Sequence, residues 1–194
     1  NFGPRRIIES IHIENDNKHL SEELDTAITR SSLLKAGLWS YIRQRPFSKI
    51  PKSDANPKSI FISALSTAPF ALDYDFLYKN TDNYLQSGID VLTEIFKCDI
   101  NFTSSPNSSF KELKNVNHFS FNKLHPAGNV GIQMHHIQPI QKADDTRWYV
   151  SLQDLNRIGY FFSQKKYPSY KTVLLRIQII IVQTKNTYAY SVYN

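Results

Sequence analysis

The hydrophobic positions of the chain recur in two alternating patterns. Short apolar runs typical of strands occupy residues 58–65, 98–104, 116–121 and 147–152. Segments with the 3.6-residue spacing of helices occupy residues 81–97 and 153–163, with a shorter one at 109–114. Because strands alternate with helices, the pattern predicts an α/β fold with a parallel sheet and flanking helices.

The segment before this alternating region has a different character. Residues 5–15 end in a period-two alternation that places Ile11 and Ile13 on one face, as in a strand. The polar residues that follow break the alternation and indicate a domain boundary near residue 16. Ser21 and the carboxylates after it predict the start of a helix.

A short segment in the N-terminal part combines cationic, aromatic and proline residues. Pro46 is predicted to end the helix that precedes it, because proline pushes the preceding residue out of the helical region. Arg43, Arg45 and Lys49 surround Phe47. Such a group can stack on a flat ring or hold an anion. The alternative is a helix-to-loop turn with solvated cations.

Three of the six histidines fall within residues 125–136. A zinc site needs several convergent ligands. His135 and His136 are adjacent, so their side chains point in different directions on a helix and on a strand. His125 can join only one of them, and no cysteine assists. No metal-binding residue is therefore predicted.

The same stretch has a weak likeness to a phosphate-binding loop. Gly128 and Gly131 form a G-x-x-G pair, but the first glycine of the G-x-G-x-x-G fingerprint is missing. Pro126 favours a turn instead, since proline fixes one dihedral and glycine tolerates a positive φ. We therefore predict a structural turn at His125, Pro126 and Gly128, and no cofactor-binding residue.

Composition narrows the functional classes. Hydrophobic residues make up 41% of the 194 residues, which supports a packed core. The longest aliphatic run, residues 179–182, is far shorter than the about 20 residues of a membrane-spanning helix. The single cysteine, Cys98, excludes an internal disulfide and fits a reducing compartment. The net charge of +6 favours an anionic partner, but the sequence contains no nucleic-acid-binding motif. It also contains no nucleophile motif and no carboxylate pair, so no catalytic residue is predicted.

Four separate stretches carry a family resemblance. They are SLLKAGLWSYIRQRPFSKIP, SIFISALSTAPFALD, HPAGNVGIQMHHIQPI and WYVSLQDLNRIGYFF. In this order and spacing they are similar to the A subunit of the sodium-translocating NADH:quinone reductase. The opening GPRRIIESIHIE also resembles the closing strands of the lipoyl-like domain in that family. The resemblance covers residues 1 to about 175 and implies a central piece of a longer polypeptide. Gln133 stands where some relatives carry histidine.

This resemblance implies three regions. Residues 1–16 would be the end of a lipoyl-like β domain, 17–175 a Rossmann-like α/β domain, and 176–194 an atypical tail without assignment. The family resembles the flavin-binding subunit of respiratory complex I, whose corresponding loop is rich in glycine. Here Trp39 and Tyr41 crowd that loop, which implies a chain without a cofactor of its own. FMN, FAD, riboflavin and iron–sulfur centres are expected in partner subunits.

The implied function is that of an accessory subunit. It would lie peripherally on the cytoplasmic face of the bacterial inner membrane, in a complex that passes electrons from NADH to quinone and exports sodium. The expected partners are the other reductase subunits, chiefly the membrane subunit with the quinone site, and no nucleic acid. Candidate residues near quinone or that partner are Arg43, Arg45, Phe47 and Lys49. The alternatives are a flavin- or nucleotide-binding α/β enzyme domain and a nucleic-acid-binding module.

Overall fold

A five-stranded sheet forms the centre of the chain. The structure, a computed structural model, describes residues 10, 25–78, 84–142 and 144–168, and the backbone of residues 178–184 and 187–193. The strands of the central sheet are β1 Ile42–Arg45, β2 Ser59–Ser63, β3 Asp99–Ser104, β4 Asn117–Ser120 and β5 Arg147–Ser151. Their order is β1-β5-β2-β3-β4. Strands β2 to β5 are parallel, and β1 pairs antiparallel to β5 at the edge.

Helices cover both faces of this sheet. They are α1 Arg30–Lys35, α2 Tyr74–Tyr78, α3 Leu85–Phe96, α4 Val130–Ile137 and α5 Leu152–Gln164, with 3-10 turns at Leu38–Tyr41 and Ser109–Glu112. Alternate strand residues such as Ile60, Phe102 and Trp148 join side chains of α3 and α5 in the main hydrophobic core. The apolar faces of these two helices are thereby removed from water.

Two glycines let α3 and α5 approach each other closely. A Cβ built at Gly159 would lie 2.0 Å from the Tyr84 carbonyl oxygen, and one at Gly88 would lie 2.5 Å from the Leu155 carbonyl oxygen. Any larger residue at either position would force the helices apart.

The opposite face of the sheet carries polar side chains and is covered by α4. Near the start of β2, the Ser59 hydroxyl donates to the Gln138 side-chain oxygen at 2.6 Å. Near the end of β3, the Thr103 hydroxyl donates to the Gln133 side-chain oxygen at 2.6 Å. Helix α4 therefore runs opposite to the parallel strands, from their carboxyl ends to their amino ends.

The predicted α/β fold is confirmed, with one addition and one correction. The strands predicted around 58–65, 98–104, 116–121 and 147–152 and the helices predicted around 81–97 and 153–163 are present. The predicted helix does not reach Pro46: α1 ends at Lys35, and a 3-10 turn and β1 follow. The edge strand makes the sheet mixed instead of purely parallel.

The two ends of the chain allow less comparison. Apart from Ser10, the predicted strand over 5–15, the boundary near residue 16 and the helix start at Ser21 lie outside the described residues. In the tail, β6 Gln178–Thr184 and β7 Thr187–Tyr193 pair antiparallel in a sheet of their own. Among the residues that the structure describes, no helix has the length and apolar composition needed to cross a bilayer.

Candidate functional site

A tight turn follows β1 and exposes an aromatic side chain. The Gln44 amide donates to the Lys49 carbonyl oxygen at 2.7 Å, and the hydroxyls of Ser48 and Tyr149 lie 2.7 Å apart. Phe47 and Ser48 adopt positive φ angles of 74° and 52°. Non-glycine residues rarely occupy this region, so neighbouring contacts must hold them there. The Phe47 side chain is 78% exposed.

The cations beside this turn differ in their surroundings. Arg43 is paired in register with Tyr149, and Arg45 with Arg147, so both arginines lie on the sheet face that α4 covers. Arg45 is half-buried, whereas Arg43 and Lys49 are exposed. A Cβ built at Gly131 would lie 2.8 Å from a terminal nitrogen of Arg45. The missing side chain at Gly131 thus makes room for the Arg45 guanidinium.

A cleft joins the turn after β1 to α4. It has a volume of about 320 Å³ and is lined by Arg45, Pro46, Phe47, Gly131, Met134, His135 and Ile140. Cationic, aromatic and aliphatic groups therefore meet in one concave site. The structure brings together two candidate segments that lie far apart in the sequence. Of the four predicted site residues, Arg45 and Phe47 line the cleft, and Arg43 and Lys49 lie outside its walls.

Residues 125–128 form a turn that rests on the loop after β2. The Gly128 amide donates to the Thr67 hydroxyl at 3.0 Å, and the His125 Nδ1 lies 3.4 Å from the same oxygen. Gly128 does not have a positive φ; among the described glycines only Gly37 does. A Cβ at Gly128 would lie 2.6 Å from the Thr67 amide nitrogen. Glycine is required here by close backbone approach.

Gln133 links α4 to β2, to β3 and to the turn before α4. No pattern in the sequence indicates this role. Its side-chain oxygen accepts from Thr103 of β3 at 2.6 Å. Its side-chain nitrogen donates to the Ser63 hydroxyl of β2 at 3.0 Å and to the Ala127 carbonyl oxygen at 2.9 Å. The residue is fully buried. Gln133 therefore fixes α4, and with it one wall of the cleft, to the strand ends.

The paired histidines of α4 do not converge on a common point. The rings of His135 and His136 lie 5.7 Å apart, and His136 packs beside Phe121. Both side chains are exposed. Within the described ranges, no three His, Cys, Asp or Glu side chains are grouped so that they could hold a metal ion.

At the carboxyl end of β5, on the side of the sheet where Rossmann-like folds bind ligands, the protein's own polar groups cap the next helix. The Ser151 side chain caps α5 by accepting from the Asp154 amide, and the Ser151 hydroxyl donates to the Asp154 carboxylate at 2.7 Å. A carboxylate thus occupies the helix N-terminus that would otherwise attract a phosphate. The loop over residues 64–73, which follows β2, contains no glycine.

Three titratable groups outside the cleft, Asp145, Tyr41 and Cys98, have shifted pKa values. Hydrogen bonds from Arg147, and then from Lys58, hold the pKa of Asp145 well below its usual range. Burial, together with a hydrogen bond to Tyr167, raises the pKa of Tyr41 to about 12. Burial also raises the pKa of Cys98 to about 11, so the thiol stays protonated and is a poor nucleophile.

Known proteins match most of this chain. The NqrA second alpha/beta domain matches residues 24–167. The A subunit of the Na(+)-translocating NADH-quinone reductase of Haemophilus influenzae (strain PittGG) is 31% identical over 193 residues, which cover 90% of this chain and 42% of the relative. The corresponding protein of Saccharophagus degradans, which bears the same name, is 33% identical over 190 residues, again with 90% and 42% coverage.

The relative from Actinobacillus pleuropneumoniae serotype 5b, also the A subunit of a Na(+)-translocating NADH-quinone reductase, is 31% identical over 84% of this chain. This chain spans about two fifths of the length of these relatives, 42% in the first two. The family match includes all five strands of the central sheet and both segments that form the cleft. The chain therefore belongs to the family of the NqrA second alpha/beta domain.

Proposed function

We propose that this chain is the central α/β part of an accessory subunit in a Na(+)-translocating NADH-quinone reductase. The observation that carries the proposal is the family match over residues 24–167, together with relatives that bear the name of that reductase. In this role the chain supports electron transfer from NADH to quinone, coupled to sodium export. It lies peripherally on the cytoplasmic face of the bacterial inner membrane.

Within that complex, the cleft between the turn after β1 and α4 faces the membrane subunit that holds the quinone site. Arg45, Met134 and His135 supply cationic, aliphatic and imidazole groups on one surface. Exposed Arg43 and Lys49 extend the positive charge beyond the cleft. These residues have a positioning role, since no group in the cleft is arranged to carry electrons.

The chain itself carries no redox cofactor in this proposal. FMN, FAD, riboflavin and iron–sulfur centres belong to the partner subunits, and quinone is the substrate of the whole complex. Two features support this division: the Asp154 carboxylate occupies the N-terminus of α5, and the loop after β2 lacks glycine. Both disfavour the alternative of a flavin- or nucleotide-binding enzyme, because phosphate needs open backbone amides.

Isolation of the chain from its host tests its proposed place in the reductase. An affinity-tagged copy expressed at its natural level should be recovered from membranes with the other reductase subunits. The same chain purified alone should be colourless in the visible range and free of zinc. Recovery of the chain without any other part of the reductase would contradict the proposal. Stoichiometric flavin in the isolated chain would favour the enzyme alternative.

A further inference from the structure

The surface around the turn after β1 is built from segments without carboxylates. Residues 26–53 contain six cations and no Asp or Glu, and residues 113–142 also lack acidic side chains. These are the segments that supply β1, its turn and α4. Of the two carboxylates just before β5, Asp145 is already paired with Lys58 and Arg147, and Asp144 is exposed. The exposed cations of this face therefore have few carboxylates in the same segments with which to form ion pairs.

The turn presents an apolar tip between exposed cations. Phe47 is 78% exposed, so its ring does not gain the free energy that burial in the core would give. Arg43 lies on one side of it in sequence and Lys49 on the other, and Ile50 is 45% exposed. The backbone is held by the Gln44–Lys49 pairing and by the Ser48–Tyr149 hydrogen bond. A rigid tip of this kind loses little entropy when it docks.

We infer that the turn at residues 43–49 docks on the anionic headgroup layer of a phospholipid membrane. Phe47 enters the interface, and Arg43 and Lys49 contact headgroup phosphates. The positive charge of this surface complements the negative charge of an anionic lipid layer. The apolar tip suits the boundary between headgroups and acyl chains. This inference rests on the proposed function, because a subunit docked on a membrane partner brings this turn to the surrounding lipid.

The shape of the turn favours lipid over a protein partner for its tip. A stable protein interface buries about 800 Å² on each side and centres on a well-packed apolar patch. Here Phe47, on the rim of the cleft, is 78% exposed, whereas Met134 is buried and Ile140 is half-buried. The cleft remains the surface proposed to face the reductase partner, and the tip is the part proposed to reach the headgroups.

Binding of the full chain to vesicles tests the inference. The chain should sediment with vesicles of equimolar phosphatidylcholine and phosphatidylglycerol, but not with phosphatidylcholine alone, and added salt should release it. The double variant Arg43→Gln/Lys49→Gln should bind about 25-fold more weakly, at about fivefold per cation. The matched variant Lys111→Gln/Lys114→Gln, at the opposite edge of the sheet, should bind as the unmodified chain does.

The Phe47→Trp variant reports directly on the environment of residue 47 through its fluorescence. Trp39 and Trp148 are buried, so the new indole supplies the solvent-sensitive fluorescence. Its emission should shift to the blue on addition of anionic vesicles. An unshifted emission, or equal binding losses in the two double variants, would overturn the inference. If the unmodified chain does not bind the vesicles and Arg43→Gln/Lys49→Gln no longer co-purifies with the reductase, the turn contacts a protein and the inference is wrong. Because the vesicles contain no other reductase component, failure here leaves the proposed function intact.

Discussion

At the scale of single residues, two glycines at the start of α4 pack closely against different neighbours. Gly128 faces the backbone of Thr67, which cannot move without shifting the loop after β2. Gly131 faces the far end of the Arg45 side chain, which can rotate away. The two sites therefore differ in tolerance, although both belong to the same G-x-x-G pair.

This difference predicts the effects of alanine at each site. Gly128→Ala should lower the free energy of unfolding by about 1 to 3 kcal/mol, the usual cost of overpacking. Gly131→Ala should be close to neutral, because Arg45 moves and alanine gains up to about 1 kcal/mol of helix propensity. Chemical denaturation of both variants checks this. Equal stabilities would show that the close approach at Gly128 does not constrain the fold.

The buried amide of Gln133 leads to a second prediction. Gln133→Leu removes three hydrogen bonds and leaves the Thr103 hydroxyl and the Ala127 carbonyl without this partner. The free energy of unfolding should fall by about 2 to 3 kcal/mol. Gln138→Leu, which removes one half-buried hydrogen bond to Ser59, should cost about 1 kcal/mol or less. A smaller loss for Gln133→Leu than for Gln138→Leu would contradict the connecting role of Gln133.

At the scale of elements, α2 is tied to the 3-10 turn after β3 through one carboxylate. Asp75 accepts hydrogen bonds from the Ser108 hydroxyl and from both the amide and the hydroxyl of Ser109, at 2.8 to 2.9 Å. Burial alone would raise the pKa of Asp75, but these hydrogen bonds outweigh it and lower the pKa below its ordinary 3.8. The ionised form is therefore the one that stabilises the contact.

A pH-dependent stability difference follows from this shift. Because the folded-state pKa is depressed, the contribution of Asp75 is fully present above its ordinary pKa and is lost as the pH falls through the folded-state value. Asp75→Asn should cost about 1 kcal/mol at neutral pH, since the carboxylate is only partly buried. The gap to the unmodified chain should narrow below pH 3.8.

Thermal unfolding from neutral pH down to the acid range measures this gap. In a Ser108→Ala/Ser109→Ala background, the effect of Asp75→Asn should shrink, because only the Ser109 amide still donates. A gap that stays constant with pH would show that the carboxylate charge does not matter to the contact.

The elements also show which parts of the fold could be predicted. Helices α3 and α5 were predictable because each keeps an apolar face over three turns or more, and β2, β3 and β5 because their apolar runs are bounded by turn residues. Strand β1 was not, because it has four residues and only Ile42 is buried in the core. Its alignment depends on pairing with β5, which is distant in sequence and leaves no local signal.

At the scale of the whole molecule, the topology creates the cleft. Strand β1 is placed beside β5, and α4 crosses the same face, so Arg45 lies against Gly131 and lines one cleft with His135. The chemical character of each segment could be predicted from its residues, but not their convergence, which depends on the order of strands in the sheet. The role of Gln133 was hidden for the same reason, since its partners lie on three other elements.

In the proposed function, the turn after β1 supports the quinone side of a reductase without taking part in NADH oxidation. Arg43→Ala/Arg45→Ala, built into the complete complex, separates these two activities. The matched control is Lys111→Ala/Lys114→Ala, which removes the same charge at the opposite edge of the sheet.

Parallel assays of quinone reduction and of NADH oxidation by an artificial acceptor give the most direct measurement. In Arg43→Ala/Arg45→Ala, quinone reduction should fall about tenfold, equivalent to about 1.4 kcal/mol in the barrier. Oxidation of NADH by the artificial acceptor should stay unchanged, and the control should keep both activities. Wild-type rates for both reactions in an intact Arg43→Ala/Arg45→Ala complex would contradict the account.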